Sequence, residues 1–216
     1  PENSGNVYIK LSNFSRAASD EIKKTIKELK EQKPVKSIVL DLRGNPGGLL
    51  DIAIDICNKF LAHGLLVVST QGREAGSQQK YYSMEEPIVG SDVDIIVLIN
   101  GGSASASEIV AGALQDHDRA VILGTKSFGK GLVQTITPLS YNTSLKITTA
   151  KYYTPSGRCI QKIDYSKGSD VIINPTKESE QKFFTDNKRE VYAKGGITPD
   201  TTVEFNINGE LTKELL

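Results

Sequence analysis

The chain is poor in cysteine and histidine, with two of each in 216 residues. Cys57 and Cys159 are far apart in the sequence, and neither belongs to a Cys-x-x-Cys pair. The sequence therefore indicates neither a zinc site nor a disulfide framework. We expect both cysteines to pack as small apolar residues, and we predict no metal ion and no organic cofactor.

The chain also lacks an excess of charge and long apolar runs. Its 26 basic residues balance 26 acidic ones, which argues against nucleic acid or an anionic membrane as a partner. Apolar runs such as residues 65–68 and 95–99 are far shorter than the roughly 20 residues of a membrane-spanning helix. No membrane span is predicted. Because the first residues lack a charged and then apolar leader, we expect a mature product or a fragment.

Strand and helix patterns alternate over the first half of the chain. Residues 18–29 carry apolar side chains at three- and four-residue spacing, which predicts a helix capped by Ser15 and ended by Lys33-Pro34. A second helix is predicted from Leu49 and a third over residues 105–115. The predicted strands are residues 6–11, 37–42, 65–70, 93–99 and 120–123. This alternation predicts an α/β core with substantial parallel pairing, and the length suits one domain.

From Leu132 onward the pattern becomes β-rich. The predicted strands there are residues 132–137, 144–153 and 201–205. The polar residues 71–79 are predicted to form a mobile loop, and residues 164–194 an extended loop or excursion. The chain contains no internal repeat.

Ser105 is the strongest candidate nucleophile. It lies in residues 100–108, where a buried strand hands over to a helix, and the carboxyl ends of strands and the amino ends of helices favour catalytic groups. Ser105 and Glu108 also fit a capping box, in which the serine only caps the helix. The local sequence leaves both interpretations open.

A nucleophilic serine needs a base, and neither histidine has a suitable setting. His63 is expected near the C-terminal end of the second helix, and His117 lies between two aspartates in a turn expected to be solvated. A Ser-His-Asp triad is therefore disfavoured.

A lysine is the alternative base, provided that desolvation or a nearby dipole favours its neutral form. Lys130 lies between two glycines and precedes Leu132 and Val133, so it can enter a close-packed apolar site, whereas Lys126 is expected to face water. Residues 124–130 also match the Gly-x-x-x-x-Gly-Lys loop of nucleotide hydrolases. Gly131 then replaces the Ser or Thr that would hold magnesium, and a strand-like segment replaces the expected helix.

Five motifs in this order resemble those of the C-terminal processing peptidases, also called tail-specific proteases. They are residues 40–48 (LDLRGNPGG), 102–108 (GSASASE), 124–134 (GTKSFGKGLVQ), 152–158 (YYTPSGR) and 196–200 (GITPD). The resemblance extends over nearly the whole chain.

The resemblance implies a Ser-Lys dyad with Ser105 as the nucleophile and Lys130 as the base. It also implies that Gln134 positions the lysine, and that Ser103 or another group caps the helix in place of Ser105. Without the resemblance, Gln134 is an ordinary exposed strand residue.

The resemblance further places an oxyanion hole beside Ser105. The backbone N–H of Ala106 is one expected donor. The second is expected from Gly47 or Gly48, because glycine permits close backbone approach. The sequence does not choose between these two glycines, and a plain strand-to-helix turn is the alternative interpretation.

The implied fold is α/β, a Clp protease/crotonase-like ββα superhelix core with an additional β-rich C-terminal segment. The expected domains are a residual linker, residues 1–5, and a peptidase catalytic core, residues 6–216, without the PDZ domain that usually precedes it in the family. The implied function is ATP-independent endopeptidase cleavage of polypeptides with exposed C-terminal tails. The implied location is extracytoplasmic, in the bacterial periplasm or cell envelope. An inactive peptide-binding module of the same fold and a nucleotide hydrolase are the alternatives.

Overall fold

The computed structural model describes residues 5–74, 76–164, 171–172, 181–193 and 195–203. Its elements in chain order are β1 (Asn6–Lys10), α1 (Ala18–Gln32), β2 (Ser37–Asp41), α2 (Leu50–Asn58), β3 (Leu66–Gly72), β4 (Gln79–Tyr82), β5 (Asp94–Ile99), α3 (Ala106–Asp116), β6 (Val121–Gly124), β7 (Leu132–Pro138), β8 (Ser144–Tyr153), β9 (Ile163–Asp164), β10 (Val171–Ile172), β11 (Lys182–Phe184), β12 (Glu190–Tyr192) and β13 (Thr201–Thr202).

The central sheet is parallel throughout, with strand order β1-β2-β5-β6-β13. Parallel strands must be joined by crossovers, and α1 and α3 supply two of them. Because all these strands run in one direction, the segments that follow β2 and β5 emerge at the same edge of the sheet. The candidate site is built there. The predicted α/β class is confirmed.

A second sheet is antiparallel, with strand order β4-β3-β8-β7. Its longest pairing is the β7–β8 hairpin, which contains a register shift between Val133 and Gln134. All eleven residues of α3 are buried, and the helix packs against α2, β3 and β6. Each large apolar side chain buried in this way, such as Leu114, contributes about 1.5–3 kcal/mol to folding.

The buried face of helix α1 agrees with the prediction, but its N-cap does not. Ala18, Ile22 and Ile26 are buried as predicted, and the helix ends at Lys33. The prediction that Ser15 caps this helix is wrong. Ala17 is the N-cap residue, and Ser15 instead accepts the Ala18 N–H through its backbone carbonyl at 3.1 Å.

Two loop predictions also need correction. Residues 71–79 are shorter as a loop than predicted, because β3 continues to Gly72 and β4 begins at Gln79. The stretch 164–194 contains the antiparallel pair β11–β12, in which Phe183 pairs with Val191. Residues 165–170, 173–180 and 204–205 lie outside the described residues. No helix in the described part of the chain is long and apolar enough to cross a membrane.

Asp41, the last residue of β2, fixes the turn that leaves the central sheet. Its carboxylate accepts hydrogen bonds from Arg43 Nε at 2.8 Å, Arg43 Nη2 at 2.7 Å and the Tyr8 hydroxyl of β1 at 2.5 Å. Burial alone would raise the pKa of Asp41, but the hydrogen bonds from Arg43 and Tyr8 outweigh burial and lower it to about 2. The ionised carboxylate therefore stabilises the fold.

We predict that this stabilisation is lost in acid. It is fully present above the unfolded-state pKa of about 4 and disappears as the pH falls through about 2, for a total of about 2 kcal/mol. Urea unfolding at about pH 6 and about pH 3 should show that the unaltered protein loses about 1 kcal/mol more than Asp41→Asn over this interval. An identical pH dependence in both proteins would contradict the role given to Asp41.

Candidate active site

Ser105 immediately precedes α3 and has an unusual backbone conformation. Its φ of 56° and ψ of −113° lie outside the usual regions for a residue with a side chain. Such a conformation costs about 1–3 kcal/mol and persists only where the surrounding structure enforces it. Ser105 and Glu108 form the capping box that the sequence suggested. The serine is half-buried.

Two polar side chains in the loop before Ser105 tie it to the turn after β2. Asn100 Oδ1 accepts the N–H of Gly44 at 2.9 Å and that of Gly102 at 3.0 Å. Ser103 Oγ donates to the Leu42 carbonyl at 2.8 Å and accepts the Asn100 N–H at 3.0 Å. Ser103 therefore joins two loops of the site. The expectation that Ser103 or another group caps α3 in place of Ser105 is wrong, because Ser105 is the N-cap residue.

Glu108 is the buried centre of the site. Its Oε2 accepts the backbone N–H groups of Ser105 and Lys130, each at 2.9 Å. Its Oε1 accepts the Ser127 hydroxyl at 2.5 Å and the Gly129 N–H at 2.7 Å. One carboxylate thus holds the start of α3 against residues 127–130.

The hydrogen bonds of Glu108 match an ionised carboxylate, which can only accept. Burial raises the pKa of Glu108, while the bonds from Ser127, Lys130, Gly129 and Ser105 favour its charged form. The Ser127 hydroxyl accepts the Ile197 N–H at 2.6 Å, so its own proton is directed to Glu108. The capping-box pattern in the sequence predicted the contact between Glu108 and Ser105. No local pattern predicted the contacts from Glu108 to residues 127–130.

Lys130 and Gln134 both line an open cleft of about 1380 Å³ beside the second sheet. The Lys130 side chain is half-buried and that of Gln134 is exposed. Lys126 is exposed, as expected. Ser105 is not among the described residues that line this cleft. Lys130 and Ser105 are therefore joined through their backbone N–H groups at Glu108, whereas Lys130 and Gln134 share the lining of one cleft.

Tyr152 is a site residue for which the sequence analysis predicted no role. It is 3% exposed, its hydroxyl donates to the Lys130 carbonyl, and the same hydroxyl lies near the Ser105 side chain. Burial raises the pKa of this phenol, and the nearby charge of Glu108 raises it further. Tyr152 is therefore a neutral hydrogen-bonding group next to the candidate nucleophile.

The three backbone N–H groups expected for the oxyanion hole differ in their availability. The Gly47 N–H is already bonded to Asn45 Oδ1 at 2.9 Å. The N–H groups of Gly48 and Ala106 have no hydrogen-bond partner within the described part of the chain. A Cβ on Gly47 would lie 2.6 Å from the Ala104 carbonyl oxygen and 2.9 Å from the Ala106 nitrogen, so only glycine lets this turn approach the start of α3.

Neither histidine belongs to the site. His117 is the C-cap residue of α3, about 18 Å along the helix from Ser105. Its ring nitrogens are 2.7 Å from an Asp186 carboxylate oxygen and from the Leu66 carbonyl oxygen. Its side chain is only 8% exposed, so the expectation of a solvated turn is wrong. His63 is exposed beyond α2.

The phosphate-loop interpretation fails in the structure. A loop that cradles phosphate needs free backbone N–H groups followed by a helix. Here the N–H groups of Gly129 and Lys130 are bonded to Glu108, and strand β7 follows. Among the residues with described positions, no group of three or more His, Cys, Asp or Glu side chains could hold a metal ion.

Comparison with known proteins identifies this α/β architecture as the Clp protease/crotonase-like core used by a group of serine peptidases. The photosystem II D1 C-terminal processing protease superposes with a TM-score of 0.69 at 28% identity, over 92% of this chain and 42% of its own. The model of peptidase family S41 matches residues 6–170. The chain belongs to peptidase family S41.

Curated relatives support this assignment. The carboxy-terminal-processing protease of Bartonella bacilliformis is 49% identical over 169 residues, which are 77% of this chain and 38% of that protein. The carboxyl-terminal-processing protease of Synechocystis is 42% identical over 72% of this chain and 35% of its own. The chain thus spans well under half the length of these relatives.

We predict that Glu108→Gln destabilises the protein strongly. Glutamine offers one carbonyl oxygen to the four donors and turns an NH₂ group towards the others, which leaves buried donors unpaired at a cost of about 3 kcal/mol. Urea unfolding measures the loss. The matched change Glu31→Gln, at an exposed position of α1, should alter stability by less than about 0.5 kcal/mol. Equal effects of the two substitutions would refute the central role of Glu108.

Proposed function

We propose that this chain is the catalytic core of an ATP-independent serine endopeptidase that cleaves polypeptides near their C-termini. The observation that carries the proposal is that one oxygen of buried Glu108 holds the backbones of both Ser105 and Lys130 in a chain of family S41. That arrangement keeps a serine hydroxyl and a lysine amine in neighbouring segments without help from a histidine.

In the proposed reaction, neutral Lys130 accepts the proton of the Ser105 hydroxyl as its oxygen attacks the peptide carbonyl carbon. The tetrahedral intermediate collapses, the peptide C–N bond breaks, and the lysine returns the proton to the leaving amine. A water molecule then repeats the sequence on the acyl-enzyme: Lys130 takes the proton from water and gives it back to Ser105.

Gln134 and Tyr152 act in this proposal by positioning other groups. Gln134 has no useful acid or base function, but its amide can hydrogen-bond the lysine amine at the cleft that both residues line. Tyr152 holds the Lys130 carbonyl and lies beside the Ser105 side chain. Their joint effect is to restrict the lysine to orientations that face the nucleophile.

For the oxyanion hole we propose the N–H groups of Ala106 and Gly48. Both lack a partner among the described residues, whereas Gly47 N–H is already used by Asn45. The start of a helix adds a favourable dipole for negative charge. Gly47 then contributes through its close approach to Ala106 instead of through its N–H.

The tail preference rests on the relatives, whose names describe carboxyl-terminal processing. The apolar part of the cleft, which includes Leu132 and Ile147, supports small or apolar residues near the cut. The division into a linker and a core, the association with a PDZ domain and the extracytoplasmic location stay predictions.

We predict that Ser105→Ala abolishes hydrolysis of an unfolded peptide and that Lys130→Ala lowers kcat/KM about a hundredfold to ten thousandfold, because the general base is lost. The matched controls are Ser140→Ala and Lys36→Ala, at exposed positions outside the site, and both should retain activity. Cleavage is followed by mass spectrometry of the products.

Equal cleavage by the unaltered protein and both site variants would refute the dyad. A serine-directed covalent inhibitor provides a second measurement, since it should add mass to the unaltered protein and not to Ser105→Ala. Peptide binding without such labelling would favour an inactive binding module over a peptidase.

We also predict that activity falls in acid. A protonated lysine cannot accept the serine proton, so kcat/KM for a peptide without ionising groups should fall about tenfold per pH unit on the acid side of the profile. Urea unfolding at each pH would show that the protein stays folded. A flat profile between about pH 5 and about pH 9 would contradict a lysine base.

A further inference from the structure

The cleft beside the candidate dyad is lined by charge of one sign. Among the described lining residues five are lysine or arginine and none is acidic, and apart from the proposed neutral base Lys130 they carry positive charge. The five are Arg73, Lys126, Lys130, Lys151 and Lys162. Because the chain as a whole has no net charge, this clustering is a local property of the cleft and does not reflect a basic protein.

Most of these side chains have no acidic partner among the residues that the structure describes. Arg73, Lys151 and Lys162 are exposed, and neither they nor Lys130 form an ion pair with a described residue. Other lysines of the chain do find acidic partners, for example Lys59 with Asp55 at 2.9 Å. The cleft therefore presents positive charge to whatever enters it.

These side chains are carried by separate segments of the chain. Lys151 lies on β8 opposite Leu132 of β7, while Arg73 follows β3 directly. The backbone N–H of Lys162 donates to the Gly129 carbonyl at 2.9 Å, next to Lys130. With Lys126 and Lys130, the five side chains come from four separate segments that converge on one cleft, together with apolar side chains such as Phe128 and Ile147.

A concave surface lined by one sign of charge concentrates ligands of the opposite sign. Peptides carry negative charge as acidic side chains and, in every chain, as the terminal carboxylate. When cleavage takes place a few residues from the end of a chain, that terminal carboxylate lies close to the reacting bond. A cationic cleft next to the dyad would therefore bind the released end of the substrate.

We propose that this cleft binds carboxylate groups of the peptide substrate, with the terminal carboxylate as the main ligand. The inference rests on the proposed peptidase function and adds to it a source of tail preference within the catalytic core itself. Lys151 and Lys162 are the specificity-determining residues, because neither has a role in the proton transfers and both are tied to the neighbours of Lys130, Lys151 opposite Leu132 and Lys162 through the Gly129 carbonyl.

The test measures binding and cleavage separately. Binding of one labelled, uncharged peptide sequence to the chain carrying Ser105→Ala is followed by fluorescence anisotropy, with either a free carboxylate or an amide at the C-terminus. The free acid should bind about threefold to tenfold more tightly at low salt. The difference should shrink when salt screens the charges. A third peptide, an amide with two glutamates near its end, tests acidic side chains as the source of the carboxylate.

The double variant Lys151→Gln/Lys162→Gln should remove most of the preference for the free acid. Its matched control is Lys27→Gln/Lys36→Gln, which removes two exposed lysines from α1 and from the residue before β2. These lie away from the sheet edge that carries Ser105, and the control should keep the full preference. Kinetics of the acid and the amide with the active chain should show the same ratio in KM.

Each outcome separates this inference from the proposed function. Equal binding of acid and amide, or a preference that survives in the cleft variant, would overturn carboxylate recognition. Tighter binding of the diglutamate amide alone would support the cationic cleft but assign it to acidic side chains instead of the chain end. Carboxylate-dependent binding without any cleavage by the unaltered chain would overturn the peptidase proposal and leave the inference in place.

Discussion

The arrangement of the site depends on the buried carboxylate of Glu108. A carboxylate without water or a cation around it is costly to bury unless every acceptor position is used, and here four donors use them. Two of those donors belong to Ser105 and Lys130, so the interactions that make burial of the charge affordable also fix the two candidate catalytic segments. Function and stability therefore share one set of hydrogen bonds.

Each of the two sheets contributes a different part of the site. The parallel sheet delivers the turn after β2 and the loop after β5 to one edge, where Asn100 and Ser103 link them. The antiparallel sheet contributes Gln134 and the wall of the cleft. Residues 127–130 connect strand β6 of the parallel sheet with strand β7 of the antiparallel sheet. Glu108, on helix α3, holds them in place. The backbone of Lys130 is therefore tied to Glu108, next to Ser105, while the residue also lines the cleft.

Local patterns in the sequence identified most elements because apolar spacing and turn residues act over short distances. The helix faces with Ala18, Ile22 and Ile26, the strand from Ser144 to Tyr153 and the handover from strand to helix at Ser105 follow directly from such patterns. The wrong predictions concern groups whose partners are distant in sequence. Ser15 offers only its backbone to the helix, and His117 is buried by contacts to Asp186 and Leu66.

The sequence by itself determined the α/β class, the order of the motifs and the candidates Ser105 and Lys130, because each is a property of neighbouring residues. Only the tertiary structure decided which groups meet. It brought Glu108 to residues 127–130 and placed Tyr152 beside the nucleophile. It also distinguished the bonded N–H of Gly47 from the open one of Gly48, and gathered five lysine and arginine side chains in one cleft. These outcomes depend on how distant segments pack and on which donors find acceptors there, and short stretches of sequence do not contain that information.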